Sequence, residues 1–448
     1  MNALKSSAAS LVGVVVLLLL LVVGVSTNQL LYSIAAVALA VALVVLVAVG
    51  PEKMGIGLML IGMLMAPMNA LGLGGNVTVS DIFFVLGFGL LIPRLLVGRP
   101  KLPPMYVAGA SILFVGGMVT SLINPGTAGS LVGLTKVVAA MIGLVLVLNV
   151  LRPTGRLLDA MAWAYVGGQM ISAAYSVVRG GAGMAQGRAV GLTTQPNFYG
   201  LGGQMAYALL IFLFYRVDPK HRWIVVGAMA VVGFSVVNSG SRASLLCCAL
   251  ITVAWPIVER SAAAWYVIVS GAFVAVLTAD RLLSALGQDT VLDRLKGNTS
   301  AQFSDQARES LLQQGFDTFW KHPIEGIGWG KDTILAYHNA YLEVAVAGGV
   351  LTLVGFVLIV AALVRPLFRQ GTPNRLAYAG LSYAAFGMIG PTLYDRIVWA
   401  VLALILITYQ TAEEELAAEE SPPEEPDEPA PRRAPVTGAN RLPRPRPR

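Results

Sequence analysis

The fold is decided by stretches such as residues 30–49, LLYSIAAVALAVALVVLVAV, which contain no charged side chain. Residues 11–25 (LVGVVVLLLLLVVGV), 104–123 and 222–237 are likewise apolar and nearly free of charge. A bilayer core about 30 Å thick requires ~20 such residues per helix, and a helix satisfies its own backbone polar groups in lipid. The alternating segments typical of transmembrane strands do not occur in the sequence. The chain is therefore predicted to be an all-α polytopic membrane protein.

The composition supports the same class. Hydrophobic residue types make up 56% of the 448 residues and charged types 12%, whereas an average soluble domain has about 25% charged residues. The net charge is +7, but the basic residues are scattered over short loops, so nucleic acid is not an expected partner. Cys247 and Cys248 are adjacent and lack the spacing of a disulfide framework or a metal site. We interpret them as small apolar helix residues.

Basic residues divide the connections between the apolar stretches into two alternating sets. Every connection of one set contains Lys or Arg, whereas the connections near 26–29, 73–76 and 124–128 contain neither. The positive-inside rule places the basic set, and with it both termini, in the cytoplasm. Fourteen spans are predicted, at residues 9–25, 30–49, 54–72, 77–97, 104–123, 129–150, 155–178, 198–216, 222–240, 242–259, 262–279, 338–364, 375–391 and 394–411.

Two segments differ from the predicted spans. Residues 1–411 are predicted to form the transmembrane domain, in which 280–337 is a large extracytoplasmic loop. Residues 412–448 are rich in Glu and Pro and have almost no large apolar side chain, so they are predicted to be a disordered cytoplasmic tail. Within the loop, SDQARESLLQQGFDTFWKHP has the pattern of a helix, with Ser304 as its predicted N-cap and Pro323 after its end.

Three arginines on the predicted outer side are candidates for binding an anion. Arg242 starts a helix that Ser239 or Ser241 can cap, and a helix N-terminus with a forked guanidinium favours an anion. Arg308 shares the apolar face of the loop helix. Arg188 lies in a Gly-rich loop before the next span, a pattern that ordinary turns also have. The structural alternatives are a topological anchor for Arg242 and a side chain lying over the membrane surface for Arg308.

His338 opens the span that follows the loop and is the candidate general base. A histidine with a pKa near neutrality is suited to accept a proton from a hydroxyl, although a single histidine is more often structural. Asn339 and Glu343 share a helix face, and Glu343 is an ionisable group inside a predicted span, where such groups are often functional. Lys136 is the other charge inside a predicted span, and it could pair with an acid or reach a lipid headgroup. Asp305 is interpreted as an ordinary loop acid. Walker A, HExxH and GxSxG motifs and metal-ligand clusters do not occur, so no cofactor or metal is expected.

Four short motifs, in this order, resemble the O-antigen ligase and O-antigen polymerase superfamily. They are RAVGLTTQPNFYG (188–200), SGSRASLL (239–246), ARESLLQQGFDTFWKHPIEGIGWG (307–330) and HNAYLEVAVAGG (338–349). The resemblance covers roughly residues 180–360 and includes the large outer loop before the HNAYLE helix. It implies a multi-spanning, metal-independent, inverting glycosyltransferase. Because ligases of the family usually have twelve spans, the expected range is 12–14 transmembrane helices.

The resemblance also implies roles for the four candidate residues. Arg188, Arg242 and Arg308 would bind the pyrophosphate of a polyprenyl pyrophosphate-linked glycan, and His338 would be the catalytic base. The acceptor would be a glycan or a lipid hydroxyl at the extracytoplasmic face of the bacterial cytoplasmic membrane, among the membrane lipids. Ligase and polymerase share these motifs, and the Ala-, Gly- and Arg-rich composition slightly favours a polymerase or a more general envelope-glycan transferase.

A transporter or flippase of lipid-linked sugars is the alternative from another functional class. Such a protein would use intramembrane charges and broken helices near the bilayer midplane. The predicted arrangement, with one deeply placed lysine and candidate basic residues on one side, is more typical of an enzyme open to one face of the membrane.

Overall fold

A computed structural model describes residues 44, 46–74, 77–96, 102–151, 153, 155–179, 184–185, 188–286, 299–330, 337–368 and 373–407. The described residues are almost entirely helical, and their strands are two short antiparallel hairpins, Gly72–Gly74 with Val77–Thr78 and Met184–Ala185 with Arg188–Ala189. This confirms the predicted all-α class. The predicted spans 9–25 and 30–49 lie largely outside the described residues, and the tail 412–448 lies wholly outside them.

The described α-helices follow the predicted spans closely. Each of the twelve spans predicted after residue 50 coincides with a helix or an interrupted helix, and most ends agree within a few residues. The exceptions are the span predicted at 54–72, whose helix ends at Met65, and the span predicted at 262–279, whose helix continues to Leu286. In chain order they are α1 Pro51–Met65, α2 Val79–Leu91, α3 Pro104–Ile123, α4 Thr127–Val138, α5 Leu144–Asn149, α6 Gly155–Arg179, α7 Pro196–Arg216, α8 Arg222–Asn238, α9 Arg242–Glu259, α10 Ala262–Leu286, α11 Thr299–Lys321, α12 Ala340–Val364, α13 Ala377–Gly387 and α14 Arg396–Ile407. Of these, α11 is the helix predicted within the outer loop. A π-helical turn, Ala139–Gly143, joins α4 to α5.

Six described helical stretches are long and apolar enough to cross a membrane. They are Pro104–Ile123, Thr127–Asn149, Pro196–Arg216, Pro219–Asn238, Arg242–Glu259 and Ala340–Phe368. Their length matches the ~20 residues that a bilayer core requires. Several crossing stretches in one chain confirm a polytopic membrane protein.

Helix α7 lies at the centre of the bundle. Its residues from Tyr199 to Phe214 are almost all buried, with α6, α8, α9 and α13 packed around it. A helix that is apolar on every side must be surrounded by protein or lipid. Helices α3 and α12 approach each other closely at two glycines. A Cβ added at Gly109 of α3 would lie 2.6 Å from the carbonyl oxygen of Gly355 in α12, as is typical of membrane helix pairs with small interface residues.

Helix α12 is broken at Gly349, which has φ 73° and ψ −176°. The segment that follows α11 is inserted at this break: Ile327 N donates to Val346 O at 2.9 Å, and Val350 N donates to Pro323 O at 2.8 Å. These bonds satisfy backbone groups that the broken helix cannot pair internally. The break therefore attaches the end of the outer loop to the helix that begins beside His338.

The start of α11 differs from the prediction. Ser304 was predicted as its N-cap, but the helix begins at Thr299, so Ser304 lies inside the helix and the cap assignment is wrong. The N-cap residue ends a run of non-helical backbone, and here the helical backbone continues for more than a turn before Ser304. The predicted end is correct, because α11 ends at Lys321, two residues before Pro323.

Candidate active site

Arg188 connects two of the predicted motifs. It lies in the short hairpin before α7 and is 6% exposed. Its Nε donates to the carbonyl oxygen of Ser239 at 3.0 Å, and one terminal nitrogen donates to Oδ1 of Asn197 at 2.8 Å. A buried guanidinium needs such oxygen partners to offset the loss of hydration. Arg188 is thereby joined to the first turn of α7 and to the turn that leads into Arg242.

The turn between α8 and α9 orients Arg242. Ser241 caps α9 by accepting a hydrogen bond from Ser244 N at 3.4 Å, and Ser239 Oγ accepts from Ser241 N at 3.1 Å. The turn packs closely on α7, because a Cβ added at Gly200 would lie 2.7 Å from Ser239 Oγ. The prediction that Ser239 or Ser241 caps this helix is confirmed for Ser241.

Arg242 is paired with an acid of the outer-loop helix. Its two terminal nitrogens donate to the two carboxylate oxygens of Asp305, one of them at 3.0 Å. The side chain of Arg242 is 20% exposed, whereas that of Asp305 is 52% exposed. The bidentate geometry is the one in which guanidinium also binds phosphate.

Arg308 lies near this ion pair, one helical turn after Asp305. Burial lowers the pKa of the Arg308 guanidinium, and the charge of Arg242 lowers that pKa further, while Asp305 acts in the opposite direction. The two lowering effects arise because the Arg308 guanidinium is partly desolvated and lies near a second positive charge. An incoming anion would relieve the repulsion between the two arginines.

His338 completes the group. It precedes the N-cap Asn339 of α12 and has a left-handed backbone, with φ 52°. Burial, and after it the positive charge of Arg308, lowers the pKa of His338 below its ordinary value of 6.5. Among the described residues, Nδ1 of His338 is buried and has no hydrogen-bond partner. The imidazole is therefore neutral at pH 7 and able to accept a proton.

The structure brings the predicted residues together as a chain of neighbours. Arg242 is bonded to Asp305, and the charges of these two residues act on the pKa of Arg308. The charge of Arg308 in turn lowers the pKa of His338. Arg188 joins this chain through the Ser239 turn. One end of the bundle thus holds residues that are far apart in sequence, namely Arg188 before α7, Arg242 at the start of α9, Arg308 in α11 and His338 just before α12.

Two other predicted residues lie on different structural features. Lys136 has its Nζ 5.9 Å from the ring centroid of Tyr394, a cation–π arrangement. Glu343 lies in the first turn of α12 and is fully buried.

Asp305 is the site residue that sequence analysis missed. It was interpreted as an ordinary loop acid, but it binds Arg242. The available signal was its spacing of three residues from Arg308, since residues three apart lie on the same helix face. That spacing identifies a neighbour of Arg308 but not its bond to a residue of another helix.

Comparison with known proteins gives one family match. The sequence profile of one family, described as O-antigen ligase, matches residues 198–357. The matched region contains Arg242, Arg308 and His338, and Arg188 lies ten residues before it. No curated protein sequence matches the chain. The profile match confirms, over residues 198–357, the resemblance to the O-antigen ligase and polymerase superfamily that the four motifs predicted.

Proposed function

We propose that this protein transfers a glycan from a polyprenyl pyrophosphate carrier to an acceptor hydroxyl at the extracytoplasmic face of the bacterial cytoplasmic membrane. The main observation in support of this proposal is that Arg242, Arg308 and His338 lie near one another at one end of the bundle. The family match supports the broader function, which is O-antigen ligase-type assembly of cell-envelope polysaccharide.

The proposed reaction is a single displacement at the anomeric carbon. The acceptor oxygen forms the new bond, its proton passes to His338, and the bond from the anomeric carbon to the pyrophosphate oxygen breaks. The electron pair leaves with the pyrophosphate, whose added negative charge Arg188, Arg242 and Arg308 would stabilise. Attack from the face opposite the leaving group inverts the anomeric configuration. Three fixed cations perform the charge stabilisation in this scheme, and no metal or cofactor takes part.

The lowered pKa of His338 supports its role as base. An imidazole must be neutral to accept a proton, and the surroundings of His338 favour the neutral form at pH 7. The charge of Arg308 also raises the energy of the protonated imidazole, which favours return of the proton to solvent after transfer.

Polymerase and ligase remain the two forms of this proposal. A polymerase joins repeat units on the same carrier, whereas a ligase transfers a finished glycan to a different acceptor. The matched family is described as O-antigen ligase, and the Ala-, Gly- and Arg-rich composition favours a polymerase or a general envelope-glycan transferase. A transporter of lipid-linked sugars is the alternative, and it would require no general base.

The test supplies purified protein in lipid nanodiscs with a polyprenyl pyrophosphate oligosaccharide, with and without a separate acceptor. A ladder of products indicates a polymerase, and a single adduct indicates a ligase. His338→Ala is expected to reduce transfer by about 10²- to 10⁴-fold, the usual contribution of a general base. Absence of transfer by the wild type, or full transfer by His338→Ala, would refute the mechanism.

A further inference from the structure

The bond between Arg242 and Asp305 occupies the donors that the proposed function assigns to pyrophosphate. Both terminal nitrogens of Arg242 donate to this carboxylate. A carboxylate and a phosphate present paired oxygens to guanidinium in the same forked geometry. Donor phosphate cannot use those nitrogens in the same way while Asp305 holds them.

The two partners differ in how easily they can move. Arg242 is 20% exposed and begins a helix that is capped by Ser241. Asp305 is 52% exposed and lies on α11, near its N-terminal end. Since an exposed carboxylate can be rehydrated at little cost, Asp305 is the partner that can leave.

The two parts of α11 differ in how deeply their side chains are packed. Leu312 and Phe319, which are further along the helix, pack against the buried cluster of Tyr337, Leu342 and Val346. The residues around Asp305, from Gln302 to Ala307, are exposed where their side chains are described. The side chain of Asp305 can therefore turn towards solvent while the C-terminal part of α11 stays packed.

We propose that the carboxylate of Asp305 occupies the position on Arg242 that the donor's phosphate takes, and that the donor displaces this carboxylate when it binds. This inference rests on the proposed function and adds a residue to it. In the donor-free state Asp305 offsets the repulsion between Arg242 and Arg308 and keeps both side chains in place. When a pyrophosphate arrives, its oxygens replace the carboxylate, and Asp305 turns to solvent. Asp305 is thus a positioning residue that competes with the donor and is not a catalytic residue.

The experiment measures binding of inorganic pyrophosphate to the full chain in nanodiscs by calorimetry, for the wild type and for Asp305→Asn. The variant removes the competing charge and should bind pyrophosphate about three- to tenfold more tightly, because a partly exposed bidentate pair is moderately strong. With a polyprenyl pyrophosphate donor, its KM should fall by a similar factor while kcat changes less. A carboxylate with a purely structural role would give weaker binding on removal.

Glu309→Gln is the matched control. It converts a carboxylate to an amide on the same helix and changes the net charge equally, but Glu309 is exposed and is not the carboxylate bonded to Arg242. Its pyrophosphate affinity should stay within about twofold of the wild type. Unchanged or weaker binding by Asp305→Asn relative to this control overturns the proposal. If Asp305→Asn cannot be purified, Asp305→Glu keeps the charge and should bind no more tightly than the wild type, and tighter binding overturns the proposal equally.

Arg242→Ala separates this inference from the proposed function. If the wild type and Arg242→Ala bind pyrophosphate equally, the role of Arg242 in the proposed function fails, whatever Asp305 does. If Arg242→Ala weakens binding but Asp305→Asn does not strengthen it, only the competition by Asp305 fails. In the background of Arg242→Ala, Asp305→Asn should lose most of its effect, because the pair no longer exists.

Discussion

His338 combines an unusual backbone with an environment that keeps its ring neutral. Its φ of 52° is uncommon for a residue with a side chain, although histidine adopts this region more often than most residues do. This backbone places the residue between the outer loop and the N-cap Asn339 of α12. The charge of Arg308 then contributes to lowering the pKa of its imidazole.

The pH dependence of glycan transfer should depend on the effect of Arg308 on the pKa of His338. Because the pKa of His338 is lowered, wild-type activity should persist as the pH falls through 6.5 and be lost only below it, where the ring becomes protonated. Arg308→Gln removes one cause of the lowered pKa, so the acidic limb of its residual activity should move to higher pH. The measurement is the pH profile of kcat/KM for both proteins. An acidic limb at the same pH in both would contradict an influence of Arg308 on His338.

Arg188 should not be replaceable by lysine. Its guanidinium bonds Ser239 O and Asn197 Oδ1 from two different nitrogens, and a single ammonium group cannot reproduce that geometry. Arg188→Lys should raise the donor KM by roughly tenfold, and Asn197→Ala, which removes one partner only, by roughly threefold. Steady-state kinetics and the double variant check this. Fully multiplicative effects of the two changes would show that the two residues do not act together.

At the scale of the element, the break in α12 was not predicted. Residues 338–364 were predicted as one span, because Gly348 and Gly349 are compatible with an uninterrupted membrane helix. The break depends on backbone partners from Pro323 to Gly328, which are supplied by a segment before the helix. Sequence periodicity contains no information on that insertion. The π-turn that joins α4 to α5 was likewise invisible in an apolar stretch.

Gly349→Ala should destabilise the protein strongly. The residue has a φ of 73°, and an added Cβ would lie 2.0 Å from the carbonyl oxygen of Ile324. Strain and displacement of the inserted segment should cost about 2–4 kcal/mol, seen as a lower apparent Tm in detergent. Gly233→Ala is the control, because it lies within α8 with no atom near its Cβ position, and it should be neutral or slightly stabilising. Equal Tm values for the two variants would disprove the role of the break.

In the whole molecule, the two ends of the bundle hold different groups of charged side chains. The candidate site lies at the end where α7, α9 and α12 begin. Other ion pairs between helices occur at the opposite end, where Arg216 bonds Asp159 and Arg375 bonds Glu259. Arg375 also lies over the ring of Tyr215, 3.8 Å from its centroid. These pairs contribute to packing at the end that the positive-inside rule assigns to the cytoplasm.

Cysteine labelling tests the proposed orientation. Ala128 lies at the predicted outer side and Lys220 at the predicted inner side, and both are exposed. Ala128→Cys should react with an impermeant maleimide in intact cells, whereas Lys220→Cys should react only after permeabilisation. Cys247 and Cys248, which lie within α9, should give little background. The reverse labelling pattern would place the site on the cytoplasmic side and exclude the proposed location of the reaction.

The class, most of the described helix boundaries and the candidate residues Arg188, Arg242, Arg308 and His338 could be predicted from the sequence. This was possible because a bilayer requires long apolar helices, and because arginine on a translocated face stands out against the positive-inside rule. Which of these residues are neighbours became known from the folded chain alone. Contacts such as Arg242 with Asp305, or the insertion at Gly349, join residues far apart in the chain through packing that no local pattern encodes.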